Sequence, residues 1–421
     1  MRSATLALAM TCLPLSVAAD GFFTLKGHGG PIMGIAVAED GQIATASFDN
    51  SVGLWTGQTP EWLEGHEAAV IAVHFAGETL LSAGDDFTLR EWPGGAVLTQ
   101  HKGKVTDIAT DGDLIATASW DGSIGLWKDG AARFLTGHQA GVNDLAFAPD
   151  GTLISASTDG TLRLWDVATG EEQRQLLSHG FGINEMVYHT EGGWIAYGAV
   201  DGVTRVIDAV TAEPIADFTL ERRPILALAL SPDGSTLAVG DGEGYIMVID
   251  TAEWRITRDF RATLRGPVWA LAFSADGANI HAGGLDPAMY SWPVASLNEH
   301  GQMEDSQQSF LRDPATMGNG ERQFERKCSI CHTLTPSSAR RAGPTLYGVF
   351  GRPAGTVGDY SYSETLKTSA IIWDDTSIDD LFEEGPDHYI PGSKMPMQVI
   401  QDQQDRDDLI AFLKQATGEE E

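Results

Sequence analysis

The sequence predicts a multidomain chain, in which a large all-β domain is followed by a smaller all-α domain. Three observations support this prediction. The chain has 421 residues, which is long for one domain. Its 48 glycines, many of them in Asp-Gly pairs, indicate many tight turns. A strand–turn–strand pattern recurs up to about residue 296, and helical patterns follow it.

Residues 1–19 have the pattern of a secretory signal peptide. Arg2 supplies a positive charge, residues 4–15 are apolar, and residues 17–19 are small. We therefore expect cleavage before Asp20 and export to the periplasm. An uncleaved anchor is the alternative, although the apolar stretch is short for a membrane span. No other apolar stretch in the sequence approaches that length, so we expect no transmembrane segment after cleavage.

Residues 20–296 contain a repeat whose clearest copy is residues 154–166. There a strand reaches the turn Asp159-Gly160, and a second strand ends in Trp165-Asp166. The corresponding turn acids are Asp49, Asp86, Asp121, Asp159, Asp201, Glu243 and Asp286. Six residues later stand Trp55, Trp92, Trp127, Trp165, Ile207, Ile249 and Trp292, at intervals of 35 to 43 residues. This period is typical of four-stranded propeller blades, and seven units predict seven blades.

A histidine, usually after glycine, precedes each of the first five units. These histidines are His28, His66, His101, His138 and His179. With this marker the sequence resembles the WD-repeat family over about two thirds of the chain. The resemblance implies a buried hydrogen-bonded set of histidine, Ser or Thr, turn aspartate and tryptophan. In blade 4 we assign this set to His138, Ser157, Asp159 and Trp165.

The ring's ends and its open face give two further expectations. Residues 22–25 are apolar and have no blade of their own, so we expect them to form the outer strand of the last blade. Blades 6 and 7 depart from the repeat, with Glu221 and Leu264 in the place of the histidine. Phe48, Trp120 and Thr158 precede turn acids, where side chains either face an open surface or pack between blades.

Beyond the repeat, residues 297–317 are polar and predict a linker. Helical patterns cover residues 320–332 and 405–416, and residues 418–421 form an acidic tail. The first helical stretch ends in Cys328-Ser329-Ile330-Cys331-His332, which is the attachment pattern of a c-type haem. Two thiols at this spacing can form thioethers to the haem, and the histidine can bind its iron. A redox disulfide or half of a zinc site remains an alternative for the bare motif.

Residues 318–417 resemble a class I cytochrome c of the mitochondrial type. The resemblance rests on residues 324–333, 343–352, 360–362, 371–373 and 389–395, which occur in the family's order. It implies one covalently attached haem c, with His332 and Met395 as the axial iron ligands and Met397 as the alternative. It also implies that the Pro344 carbonyl binds the other nitrogen of His332. The residues implied to hold the haem propionates are Arg352, Tyr362 and Trp373.

The haem domain departs from its family at three places. Leu366 stands where the family has asparagine, and Leu381 or Phe382 stands where it has tyrosine, so two polar contacts near Met395 are missing. Asp387 and His388 replace lysines near the haem edge. The lysine-rich field of mitochondrial members is therefore reversed.

The formal net charge of −32 bounds the partners of the chain. It disfavours nucleic acid and anionic membranes, because both would be repelled. We expect redox proteins with a basic docking face. The histidines outside the repeat and the haem motif are His74, His189, His281, His300 and His388. They show no metal-ligand spacing, although ligands from several blades could still converge.

The sequence therefore predicts an exported monohaem c-type cytochrome that transfers single electrons between redox partners. The propeller is expected to serve as a protein-docking platform, and the chain is expected to be a carrier rather than an enzyme. One alternative is a redox enzyme with a catalytic cofactor or metal in the propeller, as in haem-d nitrite reductases. Those enzymes place the cytochrome first and use a different propeller. A haem-based redox scaffold or sensor is the other alternative.

Overall fold

A computed structural model describes residues 21–219, 223–297 and 316–418. The expected signal peptide, most of the linker, and the last three residues of the acidic tail lie outside these ranges. The described residues form a ring of seven four-stranded antiparallel sheets and a small helical domain. This confirms the predicted fold class, a seven-bladed WD-repeat propeller followed by an all-α domain. Within the described ranges, no helix combines the length and apolar character needed to span a bilayer.

Each blade contains three consecutive strands and a fourth, outer strand. Blades 1 to 4 contain β2 (Ile32–Val37), β3 (Ile43–Ser47), β4 (Ser51–Thr56), β5 (Thr59–Glu64), β6 (Val70–Ala76), β7 (Thr79–Gly84), β8 (Thr88–Trp92), β9 (Ala96–Gln100), β10 (Val105–Asp111), β11 (Leu114–Ser119), β12 (Ser123–Lys128), β13 (Ala131–Thr136), β14 (Val142–Phe147), β15 (Thr152–Ser157), β16 (Thr161–Asp166) and β17 (Glu171–Ser178). Blades 5 to 7 contain β18 (Ile183–His189), β19 (Trp194–Ala199), β20 (Thr204–Asp208), β21 (Pro214–Asp217), β22 (Ile225–Leu230), β23 (Thr236–Asp241), β24 (Tyr245–Asp250), β25 (Arg255–Arg261), β26 (Val268–Phe273), β27 (Asn279–Gly284) and β28 (Ala288–Pro293), and β1 (Phe23–Lys26) completes blade 7.

The ring closes as predicted. Strand β1 pairs antiparallel with β28, with Phe23 opposite Ser291 and Leu25 opposite Met289. Leu25 and Met289 are fully buried. The N-terminal strand therefore covers the edge that the last blade would otherwise expose.

The hydrogen-bonded set of blade 4 uses Ser155, so our assignment of Ser157 was wrong. His138 Nδ1 lies 2.8 Å from Asp159 Oδ2, and its Nε2 lies 2.7 Å from Ser155 Oγ. Trp165 Nε1 donates to the same Ser155 oxygen at 2.8 Å. Ser157 instead accepts from the Asp159 backbone N–H at 3.0 Å. Both serines face the same side of β15, but Ser155 alone lies level with the indole.

The later blades satisfy the turn acid in other ways. In blade 5, His179 Nε2 lies 3.1 Å from Asp201 Oδ2, and Tyr197 packs against the imidazole. In blade 7, Arg265 Nε donates to Asp286 Oδ1 at 3.0 Å, and the Tyr290 hydroxyl donates to Asp286 at 3.2 Å. Arginine and tyrosine thus replace the missing histidine of blade 7. Glu221 of blade 6 lies outside the described residues.

The first strands of successive blades pack around the centre of the ring. Each contains a bulge, and in blades 3, 4 and 5 a polar side chain at the bulge bonds the next blade. Thr106 donates to the Val142 carbonyl at 2.8 Å, and Asn143 donates to the Ile183 carbonyl at 2.7 Å. Asp107 accepts from the Leu145 N–H at 3.0 Å. Burial raises the pKa of Asp107. These polar side chains form hydrogen bonds from one blade to the next.

The helical domain contains α1 (Asn319–Lys327), α2 (Glu364–Lys367), α3 (Asp375–Glu384), α4 (Pro386–Tyr389) and α5 (Gln403–Thr417). Helix α1 crosses α5 at Gly320, where a Cβ atom would stand 1.9 Å from the Asp408 carbonyl oxygen. Only glycine permits this approach. Helix α1 ends at Lys327, so the helix expected over residues 320–332 is shorter than predicted.

Candidate functional site

The Cys-x-x-Cys-His segment forms tight turns directly after α1. The N–H groups of Cys331 and His332 both donate to the Cys328 carbonyl, at 3.0 and 2.9 Å. These bonds bring both thiols and the imidazole to one wall of a cleft in the helical domain. The segment therefore presents two thiols that can be attached covalently and one imidazole that can bind a metal.

His332 has one nitrogen bonded and one directed to the cleft. Its Nδ1 lies 2.7 Å from the Pro344 carbonyl oxygen, which is the contact that the resemblance implies. A Cβ atom on Gly343 would stand 2.4 Å from the imidazole, so this glycine makes room for the ring. Burial lowers the pKa of His332, which favours the neutral imidazole. With Nδ1–H donating to a carbonyl, Nε2 keeps the lone pair that binds a metal.

The two cysteines lie in the cleft as free thiols. Burial raises the pKa of Cys328 to about 12 and that of Cys331 to about 11. A structural zinc site needs four converging ligands, and within the described residues no third cysteine or second histidine lines this cleft. The cleft therefore suits covalent attachment of haem better than a zinc site.

All eight predicted cofactor residues line the same cleft. They are Cys328, Cys331, His332, Pro344, Arg352, Tyr362, Trp373 and Met395. The cleft is open to solvent on one side, and most of its wall is apolar. An apolar wall with a few converging polar groups is typical of a cofactor site. The residues present therefore suit a haem.

The two candidate methionines differ in position. Met395 is partly buried, lines the cleft and packs against the domain core. Met397 is 51% exposed and lies against Gly385. Met395 therefore lies in the same cleft as His332, whereas Met397 is not part of its wall.

Arg352 is fixed by the backbone at the edge of the cleft. Its two terminal nitrogens donate to the carbonyls of Tyr347 and Thr345, each at 2.7 Å. The Trp373 N–H donates to the Arg352 carbonyl at 3.0 Å. The guanidinium is thereby held near Tyr362, as a site for haem propionates requires.

The apolar departures from the family line the cleft, and the charged ones do not. Leu366, Leu381 and Phe382 all line the cleft, and the last two are buried in the core. These side chains offer Met395 only apolar contact. Asp387 and His388 lie outside the cleft and are exposed. The electrostatic field around this haem site therefore differs from that of a lysine-rich cytochrome c.

The propeller completes the cleft, which sequence reasoning did not predict. The residues that blades 1 and 2 contribute to its wall are Phe48, Asn50, Ala68, Ala69 and Asp85. The sequence predicts Phe48 either on an open face or between blades, whereas in the structure it lines the cleft opposite the helical domain. The position before a turn acid was the available signal, but it does not reveal what covers that face.

Contacts of Arg340 join the two domains beside the cleft. Arg340 Nη2 lies 3.0 Å from Glu64 Oε1, and its guanidinium lies 4.3 Å from the centroid of a Trp62 ring. A Cβ atom on Gly29 would stand 2.2 Å from the Arg340 carbonyl oxygen. Ala339 and Arg340 both have positive φ, and this turn brings that carbonyl against the propeller.

Asp85 is the charged propeller residue on this wall. Its Oδ1 atom is buried and has no hydrogen-bond partner within the described structure. Burial raises the pKa of Asp85, and the nearby Lys104 opposes that shift. Such an oxygen is costly unless it is protonated or meets a partner.

Comparisons with known proteins agree with both domains. The WD domain, G-beta repeat family matches residues 22–56, 58–93, 95–128 and 131–166. The Cytochrome c family matches residues 318–417. The crystal structure of the WD40 beta propeller domain of Doa1 has a TM-score of 0.59 and 20% identity. It covers 64% of this chain and 96% of its own, and it supports the propeller fold alone.

Curated relatives match the C-terminal domain over nearly their whole length. Cytochrome c of Sesamum indicum is 42% identical over 105 residues, which are 25% of this chain and 94% of that protein. Cytochrome c of Nigella damascena is 39% identical over 111 residues, which are 26% of this chain and 99% of that protein. A cytochrome c domain implies covalently bound haem c, and His/Met ligation is typical of the class. Through its C-terminal domain, which follows a propeller of WD repeats, the chain belongs to the cytochrome c family.

Proposed function

We propose that this chain is an exported carrier of single electrons with one haem c, in which the propeller is a docking platform for redox proteins. One observation carries the proposal. Cys328, Cys331, His332 and Met395 line a single apolar cleft, and among the described residues the Nε2 atom of His332 has no hydrogen-bond partner. Haem iron bound there would alternate between the ferric and ferrous states. With both axial positions filled by protein, it would bind no substrate.

The side chains around the cleft suit electron transfer. Pro344 holds the imidazole of His332 in one orientation, so little rearrangement accompanies a change of oxidation state. A thioether ligand favours ferrous iron and raises the reduction potential relative to a second nitrogen ligand. Leu366, Leu381 and Phe382 exclude water from the Met395 side. Arg352 supplies positive charge for haem propionates.

Export and a basic partner are supported by the sequence. Residues 1–19 have the order of charge, apolar stretch and small residues that a signal peptide requires. The net charge of −32 favours partners with positively charged faces. Intact mass and N-terminal sequencing of periplasmic protein would test export, and a chain that retains residues 1–19 would contradict it.

The axial ligand is tested by replacing each of the two methionines with alanine in turn. We expect Met395→Ala to retain covalent haem but to bind carbon monoxide in the ferrous state, because the sixth position opens. Met397→Ala is the matched control and should exclude carbon monoxide as the wild type does. Absorption spectra under carbon monoxide measure both. Carbon monoxide binding by Met397→Ala alone would reverse the assignment.

Cofactor content separates a carrier from the alternative functions. We expect one haem c and one iron per chain in protein purified from the periplasm. A second metal or chromophore would favour a redox enzyme with its active site in the propeller. Slow electron exchange with every carrier of the same compartment would favour a scaffold or sensor. Haem assay, metal analysis and an absorption spectrum give the first answer.

A further inference from the structure

The part of the propeller face next to the haem cleft carries two exposed aromatic side chains. Phe181 is 58% exposed and Trp120 is 55% exposed, which makes them the most exposed aromatic residues in the described parts of the chain. They belong to blades 5 and 3. Exposed aromatic side chains that share one face often belong to a site where a partner protein binds.

A continuous row of side chains connects these aromatics to the cleft. Asp85, on the cleft wall, interacts electrostatically with Lys104 of blade 3. Lys104 Nζ lies 3.4 Å from the centroid of a Trp120 ring. Trp120 Nε1 donates to Asn143 at 3.0 Å, and Asn143 bonds Thr158 at 3.1 Å. The backbone of the Phe181 loop packs against Gly160 and Thr158 of blade 4.

We propose that this row, which we call the aromatic strip (Lys104, Trp120, Asn143, Thr158 and Phe181), is the docking site for a small redox protein with a lysine-rimmed apolar face. This inference rests on the proposed function and names the partner surface of the same site. The strip is continuous with the interface between the two domains. A protein bound there lies beside the haem cleft, at the side of Asp85.

The strip is prepared for binding. Trp120 is already held between Lys104 and Asn143, so less side-chain freedom is lost when a partner covers it. Tryptophan in such a position is the residue type most often found to dominate interface energies.

The charges around the strip favour a basic partner. Asp121 and Asp159 lie at the turns of blades 3 and 4, and their pKa values are lowered, that of Asp159 to about 2. Their histidine partners are the repeat histidines of the same blades, His101 and His138. Burial lowers the pKa of both histidines, which favours their neutral form, so they do not cancel the carboxylate charges. Arg163 lies 3.7 Å from Asp159 and Lys104 interacts with Asp85, so these two carboxylates are partly offset, whereas the chain as a whole carries a net charge of −32. A lysine-rimmed face complements this surface, whereas a second copy of this anionic chain would be repelled.

The test uses the full-length haem protein and two probes. The protein probe is a blue copper protein whose apolar face is ringed by lysines (a pseudoazurin), because its blue band is distinct from the haem bands. Ferricyanide is the small oxidant that needs no docking surface. Stopped-flow absorbance gives the second-order rate of electron exchange with each probe. The test variant is Trp120→Ala/Phe181→Ala, and the matched control is Val97→Ala/Val210→Ala, which truncates two exposed apolar side chains elsewhere.

We expect the test variant to slow exchange with the copper protein about tenfold or more, as hot-spot residues do, and to leave the ferricyanide rate unchanged. The control should change neither rate. Added salt should slow the wild type with the copper protein. If the test variant should fail to fold, Phe181→Ala alone is expected to slow the copper protein several-fold.

Several outcomes would overturn the inference. An unchanged copper-protein rate would place docking elsewhere and leave the proposed function intact. Equal slowing with both probes would locate the effect in the haem site rather than at the strip. Sedimentation that shows a dimer dissociated by the test variant would identify a second copy as the occupant. A wild-type haem that exchanges electrons with neither probe would instead contradict the proposed function.

Discussion

His138 in the propeller and His332 in the helical domain are both buried imidazoles, and the difference between them lies in their second nitrogen. Asp159 and Ser155 bond both nitrogens of His138, at 2.8 and 2.7 Å. His332 has Pro344 on Nδ1, and the described residues offer its Nε2 no hydrogen-bond partner. A histidine with both nitrogens satisfied stabilises the fold, whereas one with a free nitrogen facing a cleft can bind a metal.

The same comparison explains the role of the repeat histidines in blades 1 to 4. His28, His66 and His101 repeat the arrangement of His138, with an aspartate on Nδ1 and a hydroxyl on Nε2. His28 and His101 also pack edge-on against the tryptophan of their blade. The repeat therefore uses the imidazole as a bridge between a turn and a strand. The haem motif uses it as a ligand.

The largest expected effect comes from replacing the two histidines in parallel. His332→Ala should abolish the low-spin haem spectrum and leave unfolding of the propeller unchanged, because only the iron loses a ligand. His138→Ala should leave the spectrum unchanged but destabilise the propeller by about 1–3 kcal/mol, since Asp159 and Ser155 lose a buried partner. Visible spectra and urea unfolding measure the two effects. Tryptophan fluorescence reports on the propeller, which contains every tryptophan except Trp373.

The comparison between the two histidines would be contradicted if either variant produced the effect expected of the other. If His138→Ala altered the haem spectrum, the propeller would influence the iron through more than the cleft wall. If His332→Ala destabilised the propeller, the two domains would unfold as one unit. Pro344 and Ser155 then become the next residues to change, because they separate the two roles.

The blades were predictable because their signals are local. A strand, an Asp-Gly turn and a second strand occupy thirteen residues around Asp159, so sequence spacing determines the structure. The choice between Ser155 and Ser157 was not predictable in the same way. Both residues lie on one face of β15, so the alternation of side chains along a strand does not determine which of them is level with the indole of Trp165.

The cleft shows that sequence analysis has the same limit for contacts between domains. Its own residues follow from the spacing of a motif, from Cys328 to Met395. The propeller wall depends on how two domains meet, through a few contacts such as Gly29 with Arg340 and Arg340 with Glu64. Exposed ion pairs of this kind contribute about 0–1 kcal/mol and leave no periodic pattern in the sequence. The sequence alone therefore could not identify Phe48 and Asp85 as cleft residues.

A second effect on stability, seen only on acidification, is expected at His281, which is buried in β27. Burial lowers the pKa of His281 from 6.5 to about 4. Between these values the unfolded chain binds a proton that the folded propeller does not. Stability from this group is thus complete above pH 6.5 and lost as the pH falls toward 4, by up to about 3 kcal/mol. His281→Gln, which does not titrate, should lose correspondingly less stability between pH 7 and pH 4.5 in urea unfolding.

The smallest effect is expected at His179, where the bridge of the repeat is incomplete. Its Nε2 faces Asp201 at 3.1 Å, but Asp201 is partly exposed, and Ile207 replaces the tryptophan of this blade. Water can solvate Asp201 when the imidazole is removed, so no buried group is left without a partner. We expect His179→Ala to lower the free energy of unfolding by less than about 1 kcal/mol, well below the effect of His138→Ala in the same urea experiment. Equal losses for the two variants would mean that burial of the aspartate, which differs between the blades, does not determine how much each histidine stabilises the propeller.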